Sequence, residues 1–407
     1  MKDIEQTTES DRPVVSLGTH PSPHPFIRRG LIKEAPSGLS NGYIVRLVSN
    51  EGVELGDAFW SNQSDIAARL LTPPGVPFDR SFLRAALDRA VTLRENMAGL
   101  TDGTEAFRVV HAEGDGLSGL VVDRLGDVLS GQLFSAGWKP YVEDILELLH
   151  GRLGTHHHVF TMDSRVARLE GVKPFRLESE DLPEQMRIVE NGARYHIDLS
   201  GGHKTGFFCD QRENRRDLVA LTEGKDLLDL CCHSGGFGVA AAVTGSPNSV
   251  TAVDLDEEAL ALARRNANTN QAKISFIHAD AFDWARQVEK TGRRFDVVVL
   301  DPPKFIPTRR DEGKGESQYR DLNRLAMALV ADGGLLLTCS CSGLLSSSRF
   351  RELLTSAGRR AGKIVRIIRK TGAGPDHPVA LECPESEYLT AFWMQVEDSK
   401  GSRGGAS

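Results

Sequence analysis

The sequence has few cysteines, few aromatic residues and no long uninterrupted apolar run. Its 407 residues include six cysteines, and 6% of the residues are aromatic. No two cysteines have the CxxC spacing of a zinc site, and their positions do not suggest a disulfide framework. We therefore expect reduced thiols and predict no metal site. The short apolar runs and the polar N-terminus argue against membrane insertion and secretion, which predicts a cytoplasmic protein.

Composition and charge are those of an ordinary folded protein. The chain is 40% hydrophobic and 26% charged, with a net charge of −7. This length provides enough apolar material for the cores of two or three domains. An acidic chain is not an obvious nucleic-acid binder, although a basic cluster such as residues 304–310 can form a local patch.

Changes in the apolar pattern divide the chain into five segments. Residues 1–13 are polar and predicted to be disordered, and residues 399–407 form a second such tail. Residues 14–72 alternate short apolar stretches with Gly, Ser and Asn turns, which predicts a small β-rich module. Residues 73–185 follow a Thr-Pro-Pro-Gly boundary. Residues 186–398 alternate apolar strands with helices, which predicts a doubly wound, Rossmann-like α/β sheet.

The central segment mixes both kinds of secondary structure. Apolar residues recur with helical spacing over residues 79–97, and a second helix is expected near residues 140–152. Between them lies a strand-rich stretch that includes FRVVHAEG and GLVVDRLG. The central domain is therefore predicted to be α+β.

The first chemical signal is a glycine-rich loop between a predicted strand and a predicted helix, in 226-DLLDLCCHSGGFGVAAA-242. Glycines let the backbone approach a ligand closely, and a strand–loop–helix unit is where such sheets bind nucleotides. A Gly-rich loop alone is equally compatible with a tight turn. The candidate ligand contacts in this stretch are Asp229, Cys231, Ser234, Gly235 and Gly236.

Acidic residues follow the next two strands. Asp254 comes 18 residues after Gly236, at a position where a carboxylate accepts hydrogen bonds from ribose hydroxyls. Asp280, in HADAFDW, is placed to meet an adenine amino group. The loop lacks the GxGxxG pattern of dinucleotide-binding enzymes. With no phosphates to hold, a glycine loop followed by strand-end acids suits S-adenosylmethionine, and this arrangement resembles the class I methyltransferases.

The fourth strand of the same segment ends in 300-LDPPK-304. In class I methyltransferases a turn of this type faces the methyl donor, and the Pro302-Pro303 pair fixes backbone carbonyls beside it. Asp301 can accept a hydrogen bond from the edge of a heteroaromatic base, or donate one when protonated. A purely structural Asp-Pro-Pro turn is the alternative. Such motifs are typical of enzymes that methylate a nucleobase taken out of its stack.

Two thiols follow the next apolar run, in 337-LTCSCSGLL-345. Carbon 5 of a pyrimidine is a poor nucleophile, so an enzyme that methylates it first adds a thiolate to the neighbouring ring carbon. A guanine or adenine nitrogen needs no such covalent step. The [ST]-C-[SN] pattern typical of pyrimidine carbon-5 methyltransferases occurs twice, around Cys339 and around Cys341. One thiol is predicted to be the nucleophile and the other to serve packing.

From about residue 24 to residue 396, the sequence resembles the bacterial 23S ribosomal RNA cytosine-5 methyltransferase family. The resemblance rests on 24-HPFIRRGLI-32, 106-AFRVVHAEGDGLSGLVVDRLGD-127, 202-GHKTGFFCDQRENR-215, 301-DPPKF-305, 319-YRDLNRLAMALVADGGLLLTCSCSGLL-345 and 376-DHPVALECPESEYL-389. It implies a PUA-like RNA-binding domain at 14–72, a central connecting domain at 73–185 and a class I methyltransferase domain at 186–398. It also implies that Cys341 is the nucleophile and that Cys339 is structural.

The resemblance assigns further residues. In the family, the 202–215 segment lies across the donor pocket, where Gln211, Arg212 and Arg215 can bind the methionine carboxylate, because guanidinium groups pair with carboxylates. A helix start capped by Asp210, with a solvated charged face, is the alternative. Candidate substrate contacts are Pro302, Pro303, Lys304 and His377.

The sequence therefore predicts an S-adenosylmethionine-dependent enzyme that forms 5-methylcytosine in 23S ribosomal RNA. Cys341 attacks carbon 6 and Asp301 stabilises the activated ring, but no residue identifies the base that removes the carbon-5 proton. Two alternatives stay open: methylation of a guanine nitrogen of ribosomal RNA, and a non-catalytic donor-binding ribosome assembly factor. The sequence also leaves open whether the chain forms a homodimer.

Overall fold

The computed structural model describes residues 12–96, 103–183, 185–199 and 206–399. Most of the two predicted tails, residues 1–11 and 400–407, lies outside the described residues, as does the stretch 202–205 of the predicted donor segment. Among the helices that are described, none is long and apolar enough to cross a membrane.

The chain divides into two compact units. The first consists of Met1–Ile188, Ile197–Cys209 and Pro375–Ser386, and the second of Val189–His196, Asp210–Gly374 and Glu387–Ser407. The sequence placed Pro375–Ser386 in the 186–398 domain, whereas the structure groups it with the first unit. The physical reason is a set of buried hydrogen bonds around Asp376. Its carboxylate accepts from the Arg108 N–H at 2.8 Å, and its carbonyl accepts from Arg94 at 2.7 Å.

The N-terminal part of the first unit is a six-stranded sheet, in the order β2-β6-β5-β4-β1-β3. Its strands are β1 Val14–Leu17, β2 Phe26–Arg28, β3 Ile32–Glu34, β4 Ile44–Val48, β5 Glu54–Trp60 and β6 Ile66–Leu70. Buried side chains alternate along β4, which places Val45 and Leu47 in the core. Arg12 was predicted to lie in a disordered tail, but it pairs with the buried Asp57 and donates to the Phe78 carbonyl at 2.7 Å.

The rest of the first unit contains a five-stranded sheet, in the order β11-β10-β9-β8-β7, with three helices. Its elements are α1 Arg80–Asn96, β7 Ala106–His111, β8 Leu120–Leu125, β9 Val128–Leu133, α2 Val142–Leu153, β10 His157–Met162, α3 Ser164–Leu169 and β11 Phe175–Glu178. Helices α1 and α2 confirm the predicted helices at 79–97 and near 140–152. Strand β9 runs parallel to β10 because α2 supplies the crossover between them.

The second unit is built around a seven-stranded sheet, in the order β16-β15-β14-β17-β18-β20-β19. A two-stranded hairpin, β12 Met186–Glu190 and β13 Ala193–Ile197, precedes it. Its elements are α4 Arg212–Val219, β14 Asp226–Leu230, α5 Gly236–Thr244, β15 Ser249–Asp254, α6 Glu257–Thr269, β16 Ser275–His278, α7 Ala281–Thr291, β17 Phe295–Leu300, α8 Glu312–Leu329, β18 Val330–Ser340, α9 Ser347–Ala361, β19 Lys363–Thr371 and β20 Thr390–Asp398. This is the doubly wound sheet that the alternating pattern predicted.

Both faces of the seven-stranded sheet carry an apolar core. One contains Trp284, Tyr319 and Phe350 from helices α7, α8 and α9, and the other contains Leu218 and Phe237 from α4 and α5. The inner strands β14, β15, β17 and β20 are mostly buried on both sides, which explains why they read as continuous apolar runs, whereas the edge strands β16 and β19 are largely exposed. Strands β14 to β18 are mutually parallel and only β20 runs against them.

The strand order positions the functional side chains. Strand β14 lies between β15 on one side and β17 on the other, so the chain changes direction across the sheet at β14. Ligands of open α/β sheets bind at the carboxyl ends of the strands beside such a switch point. The loops after β14, β15, β16, β17 and β18 all leave the sheet at this edge.

Candidate active site

The loop after β14 is compact and strained, as a ligand-binding loop often is. Cys231 and His233 have φ angles of +61° and +47°, and Gly235 has a φ of +78° at the start of α5. Positive φ is costly for residues with a Cβ atom, and the surrounding structure must hold it in place. A Cβ atom on Gly238, on the first turn of α5, would lie 3.3 Å from the Asp229 carboxylate. Glycine is therefore favoured at position 235 by the positive φ and at position 238 by the close approach of Asp229.

Asp229 is a buried carboxylate near the end of β14. Its Oδ2 accepts the Gly238 N–H at 2.9 Å, and its Oδ1 is buried without a hydrogen-bond partner. Burial, together with the neighbouring charges of Asp301 and Asp254, raises the pKa of Asp229 to about 7, against the Gly238 hydrogen bond, which lowers it. An orphaned acceptor of this kind beside a glycine loop is suited to a polar ligand.

Asp254 is the last residue of β15, and Asp280 follows the neighbouring strand β16. The Asp254 carboxylate accepts the His233 N–H at 2.8 Å on Oδ2 and the Asp256 N–H at 2.9 Å on Oδ1. Each oxygen of a carboxylate has a second acceptor position, so a pair of ribose hydroxyls can still donate to Asp254. Asp280 caps helix α7, because its Oδ1 accepts the Asp283 N–H at 3.0 Å.

The structure brings the Asp-Pro-Pro turn and the second thiol together. The Cys341 Sγ lies 4.0 Å from the Pro302 carbonyl, and Cys341 is half-buried just beyond the end of β18. Asp301 follows β17 directly, and its Oδ2 accepts a hydrogen bond from Gln211 Nε2 at 3.0 Å. Gln211 and Asp301 are 90 residues apart in sequence, so only the tertiary fold joins them.

The two thiols differ sharply in environment. Cys339 lies on β18, is fully buried and packs in the core with Leu337 and Trp393. Burial first, and then the charge of Asp301, raises the pKa of Cys339 well above its usual range, against a hydrogen bond from Gln211. Such a thiol is seldom a thiolate and is hard to reach. Cys341 is the more accessible of the pair.

The two arginines of the predicted donor segment have different surroundings. Both arginines lie in helix α4, and both are buried. Arg215 donates to the Glu190 carboxylate through Nε at 2.7 Å and through Nη2 at 2.8 Å. In this bidentate ion pair, the negative charge of Glu190 balances the positive charge of Arg215. Arg212 contacts Glu213 at 3.1 Å. Binding of the methionine carboxylate by Arg215 would compete with Glu190, and it stays a prediction.

Helix α4 does not begin with the expected aspartate cap. Gln211 occupies the position before Arg212, with no side-chain cap hydrogen bond. Asp210 instead accepts a hydrogen bond from the Tyr388 hydroxyl at 2.6 Å and, through its carbonyl, from the Gly374 N–H at 3.1 Å. The capping alternative for Asp210 is therefore wrong, because its carboxylate is engaged with a side chain from outside the helix.

The candidate substrate contacts fall into two groups. Pro302 is buried, whereas Pro303 and Lys304 are exposed beside Asp301. His377 belongs to the first unit, where its ring lies 4.9 Å from the ring of His111. The role of His377 at a base pocket stays a prediction.

Sequence reasoning missed several side chains that hold the site. Asn214 donates to Gln211 Oε1 at 2.6 Å. The Ser342 hydroxyl contacts the Tyr319 hydroxyl at 2.9 Å and accepts the Ile306 N–H at 3.3 Å, which fixes the chain just after Cys341. Ser342 belongs to the [ST]-C-[SN] pattern around Cys341, but that pattern gives no sign of its contact with Tyr319, and Asn214 and Tyr319 lie outside the glycine, proline and cysteine motifs.

A second cluster has the composition of a metal site. His24, Cys383 and Glu385 bring one ligand atom each to within 4.8 Å of one another. The Phe26 N–H donates to His24 Nδ1 at 2.9 Å, so a neutral imidazole carries its proton on Nε2, which faces Glu385 at 3.1 Å. A metal ion would need the lone pair of that same nitrogen. The geometry therefore favours a hydrogen-bonded His–Glu pair.

Family comparisons identify two parts of the chain. A model described as S-adenosylmethionine-dependent methyltransferase matches residues 152–380, and a PUA-like domain model matches residues 22–73. The first match covers more than half of the chain. Both agree with the predicted fold class, a Rossmann-like methyltransferase domain preceded by a β-rich PUA-like domain.

Close relatives cover nearly the whole chain. The protein named ribosomal RNA large subunit methyltransferase I of Pseudoalteromonas atlantica is 34% identical over 378 residues, which span 92% of this chain and 95% of that protein. The protein of the same name from Escherichia coli O127:H6 is 33% identical over 382 residues, again with 92% and 95% coverage.

Solved structures agree on the fold. A methyltransferase structure from Streptococcus mutans superposes with a TM-score of 0.76 at 23% identity, covering 88% of this chain and 93% of that one. A second structure, described as a methyltransferase complexed with SAH, gives a TM-score of 0.78 at 21% identity, with 94% and 99% coverage.

The residues present fit S-adenosylmethionine. The orphaned Asp229 oxygen and the glycine loop lie at the switch point, and Asp254 ends the next strand as an acceptor for a ribose. S-adenosylmethionine is therefore the methyl donor. The chain belongs to the S-adenosylmethionine-dependent methyltransferases, and within them to the ribosomal RNA large subunit methyltransferase I family.

Proposed function

We propose that this enzyme methylates carbon 5 of a cytosine in 23S ribosomal RNA through a covalent bond to Cys341. The observation that carries the proposal is the position of Cys341. Its half-buried thiol lies 4.0 Å from the carbonyl of Pro302, in the turn that begins with Asp301. A nucleophilic thiol beside a carboxylate is what carbon-5 chemistry needs and what methylation of a ring nitrogen does not need.

The reaction follows from the polarity of the pyrimidine ring. The Cys341 sulfur forms a bond to carbon 6, and the electron pair of the 5,6 double bond moves into the ring and makes carbon 5 nucleophilic. Asp301 stabilises the activated ring by a hydrogen bond to its edge. S-adenosylmethionine supplies an electrophilic methyl group on a sulfonium sulfur. Carbon 5 forms a bond to that methyl group as the methyl–sulfur bond breaks and its electron pair stays on sulfur.

The covalent bond to Cys341 is then undone. A base removes the proton from carbon 5, the electron pair of that C–H bond restores the 5,6 double bond, and the thiolate leaves carbon 6. The base is not assigned to any residue. Cys341 is thus regenerated in every cycle, and its sulfur must remain reduced. This requirement fits a cytoplasmic location, where thiols stay reduced.

The donor contacts are proposed from the edge of the sheet. The glycine loop would surround the methionine part, Asp254 would accept from the ribose, and Asp280 would meet the adenine. Gln211 and the arginines of α4 lie within the same unit. The proposed donor contacts are Gln211, Arg212, Arg215, Asp229, Cys231, Ser234, Gly235, Gly236, Asp254, Asp280 and Asp301.

Two findings support ribosomal RNA as the substrate. The relatives named above act on large-subunit ribosomal RNA according to their names, and their sequences align with nearly all of this chain. The PUA-like match at residues 22–73 suggests a second RNA contact. Lys304 and Pro303, exposed beside Asp301, are proposed to meet the RNA around the target base.

Covalent trapping tests the proposal. We would incubate the enzyme and S-adenosylmethionine with 23S RNA containing 5-fluorocytidine and follow adducts on denaturing gels and by mass spectrometry. Fluorine cannot leave carbon 5 as a cation, so the 5,6 double bond cannot re-form after methyl transfer. The enzyme would then stay covalently bound to the RNA. We expect an adduct with the wild type and with Cys339→Ala, and none with Cys341→Ala.

The matched cysteine variants make the test decisive. An adduct that survives Cys341→Ala but is lost in Cys339→Ala would move the nucleophile to the buried thiol. Methylation of natural RNA without any adduct would overturn the thiol mechanism and favour a guanine nitrogen as the target. Absence of methyl transfer to any RNA would favour the non-catalytic assembly factor.

A further inference from the structure

Asp301 is held by a hydrogen bond that the proposed reaction does not explain. Gln211 Nε2 donates to Asp301 Oδ2 at 3.0 Å, and the Gln211 side chain is almost completely buried. An amide can present either its oxygen or its nitrogen, and only the nitrogen suits a carboxylate. What fixes the amide of Gln211 therefore decides how Asp301 is held.

A chain of four side-chain hydrogen bonds fixes that amide. Trp393 Nε1 donates to Thr371 Oγ1 at 2.9 Å, and Thr371 Oγ1 donates to Asn214 Oδ1 at 2.7 Å. Asn214 Nδ2 then donates to Gln211 Oε1 at 2.6 Å, and Gln211 Nε2 donates to Asp301. We call these five residues the donor relay. All of them belong to the second unit.

The Asp301 end of the donor relay determines its direction. A carboxylate only accepts, so the Gln211 nitrogen faces Asp301 and the Gln211 oxygen faces Asn214. The amide nitrogen of Asn214 must then face Gln211, which leaves the Asn214 oxygen to accept from the Thr371 hydroxyl. The indole N–H of Trp393, which only donates, begins the chain. Every member satisfies its neighbour in this one direction, and reversing any amide would oppose two donors or two acceptors.

Burial makes this order costly to disturb. Trp393 and Asn214 are buried, and Asn214 Nδ2 has a second acceptor in the Gly372 carbonyl at 3.3 Å. Hydrogen bonds in a buried network are stronger than in water, and a network with one missing member leaves unpaired groups behind.

We propose that the donor relay makes Gln211 a positioning residue, which holds the Asp301 carboxylate against the reacting base. The inference rests on the proposed function, because it takes Asp301 to act on that base. Gln211 acts through Asp301. The remote members, Thr371 and Trp393, hold the Asn214 amide in this orientation from strands β19 and β20.

Thr371→Val tests the donor relay from a distance. Valine keeps the shape of threonine and removes the hydroxyl, so Trp393 loses its acceptor and Asn214 loses its donor. We expect the single-turnover rate of methyl transfer to fall about tenfold, the size of one net hydrogen bond in the reacting geometry. The affinities for S-adenosylmethionine and RNA should stay unchanged, and Thr371→Ser should restore the rate.

A matched control separates positioning from general damage to the sheet. Thr338 is a buried threonine on β18 whose Oγ1 also donates to an asparagine Oδ1, that of Asn323, at 2.7 Å. Asn323 donates onward to the Tyr319 carbonyl rather than to Asp301. Thr338→Val therefore removes the same type of hydrogen bond without entering the donor relay, and we expect the wild-type rate.

A double-mutant cycle tests whether Thr371 acts through Gln211. Gln211→Met removes the donor to Asp301 directly. If the donor relay is correct, adding Thr371→Val to Gln211→Met lowers the single-turnover rate by no more than about twofold further. Rate losses that multiply in the double variant, or a wild-type rate in Thr371→Val, would overturn the inference.

Failure of this inference can be told apart from failure of the proposed function. Nucleoside analysis of the wild-type product tests the function, because only 5-methylcytosine agrees with it. The rate ratios between the threonine variants test the donor relay. Thermal unfolding of each variant, followed by circular dichroism, shows that it is folded, so that a slow variant is not mistaken for an unfolded one.

Discussion

At the scale of single residues, burial decides which groups can react. Cys339 and Cys341 are two positions apart, so an extended strand would place both on one face. Strand β18 ends at Ser340, however, and leaves Cys339 inside the sheet and Cys341 at its rim. The sequence presented two equivalent [ST]-C-[SN] patterns. The family resemblance implied that Cys341 is the nucleophile, and the end of the strand supplies a physical difference between the two thiols.

Asp229 should make folding stability depend on pH. Its pKa is about 7 in the folded chain against a usual value of 3.8, so the folded state binds a proton that the unfolded state releases between these values. Stability from this group is fully present below about pH 4 and is lost as the pH rises through about 7. We expect the free energy of unfolding, measured with urea from pH 4 to pH 8, to fall less in Asp229→Asn than in the wild type.

Asp226, at the other end of β14, is the control for that measurement. Hydrogen bonds from Ser249 and Asn248 lower the pKa of Asp226, so its contribution is present above its unfolded pKa and is lost only as the pH falls. In Asp226→Asn, the free energy of unfolding should therefore still decline between pH 4 and pH 7, as it does in the wild type. An identical decline in the wild type and in Asp229→Asn would contradict the assignment.

At the scale of secondary-structure elements, the loop between β17 and α8 carries exposed positive charge. Lys304, Arg309 and Arg310 are all exposed, as is Lys314 at the start of α8, and within the described part of the chain none of these four forms an ion pair. Many other exposed arginines of the second unit are paired, such as Arg349 with Glu316 at 2.7 Å. Unpaired cations at the carboxyl edge are available to RNA phosphates.

Neutralising this loop should weaken RNA binding in a salt-dependent way. We expect Arg309→Gln combined with Arg310→Gln to lower RNA affinity and to reduce the slope of log affinity against log salt by about 1.4, at about 0.7 per lost phosphate contact on single-stranded RNA. Fluorescence anisotropy with labelled RNA at several salt concentrations measures both quantities.

The control for the loop lies at the opposite edge of the sheet. Lys290 and Arg359 occupy the last turns of α7 and α9, which lead into the amino ends of β17 and β19, and both are exposed. Lys290→Gln combined with Arg359→Gln removes the same charge. An equal loss of slope in both double variants would show that net charge alone is responsible.

At the scale of the whole molecule, two compact units share one chain, and donor binding concerns the second unit. A ligand that binds only the folded state stabilises it by about 2.7 kcal/mol at a hundredfold excess over its dissociation constant. We expect S-adenosylmethionine to raise the unfolding temperature of the wild type. Asp254→Asn should diminish this rise, because the ribose would lose a charged acceptor.

Thermal unfolding followed by calorimetry, with and without the donor, measures this effect. Asp283→Asn is a suitable control, since Asp283 is an exposed residue in the first turn of α7. If S-adenosylmethionine raised the unfolding temperature of Asp254→Asn as much as that of the wild type, the proposed ribose contact would be contradicted. With two units present, the transition that shifts should be assigned before a single midpoint is compared.

Local sequence determined much of the second unit. The buried strands appear as apolar runs, and glycine, aspartate and proline mark the points where those runs end, so the glycine loop, Asp254 and the Asp301 turn could be located in advance. This works because the carboxyl ends of parallel strands must share one edge. The methyl donor followed from the same residues together with the family resemblance.

Tertiary structure decided what no local pattern encodes. Gln211 and Asp301 form a hydrogen bond although they are 90 residues apart in sequence. Arg215 forms an ion pair with Glu190. The segment Pro375–Ser386 belongs to the first unit, although the residues on both sides of it belong to the second. Hydrogen bonds between distant polar side chains depend on where strands end and on which groups lose water, and both are properties of the packed chain. The sequence thus determined the fold class and the edge where chemistry occurs, and packing decided which thiol is accessible and how its carboxylate neighbour is held.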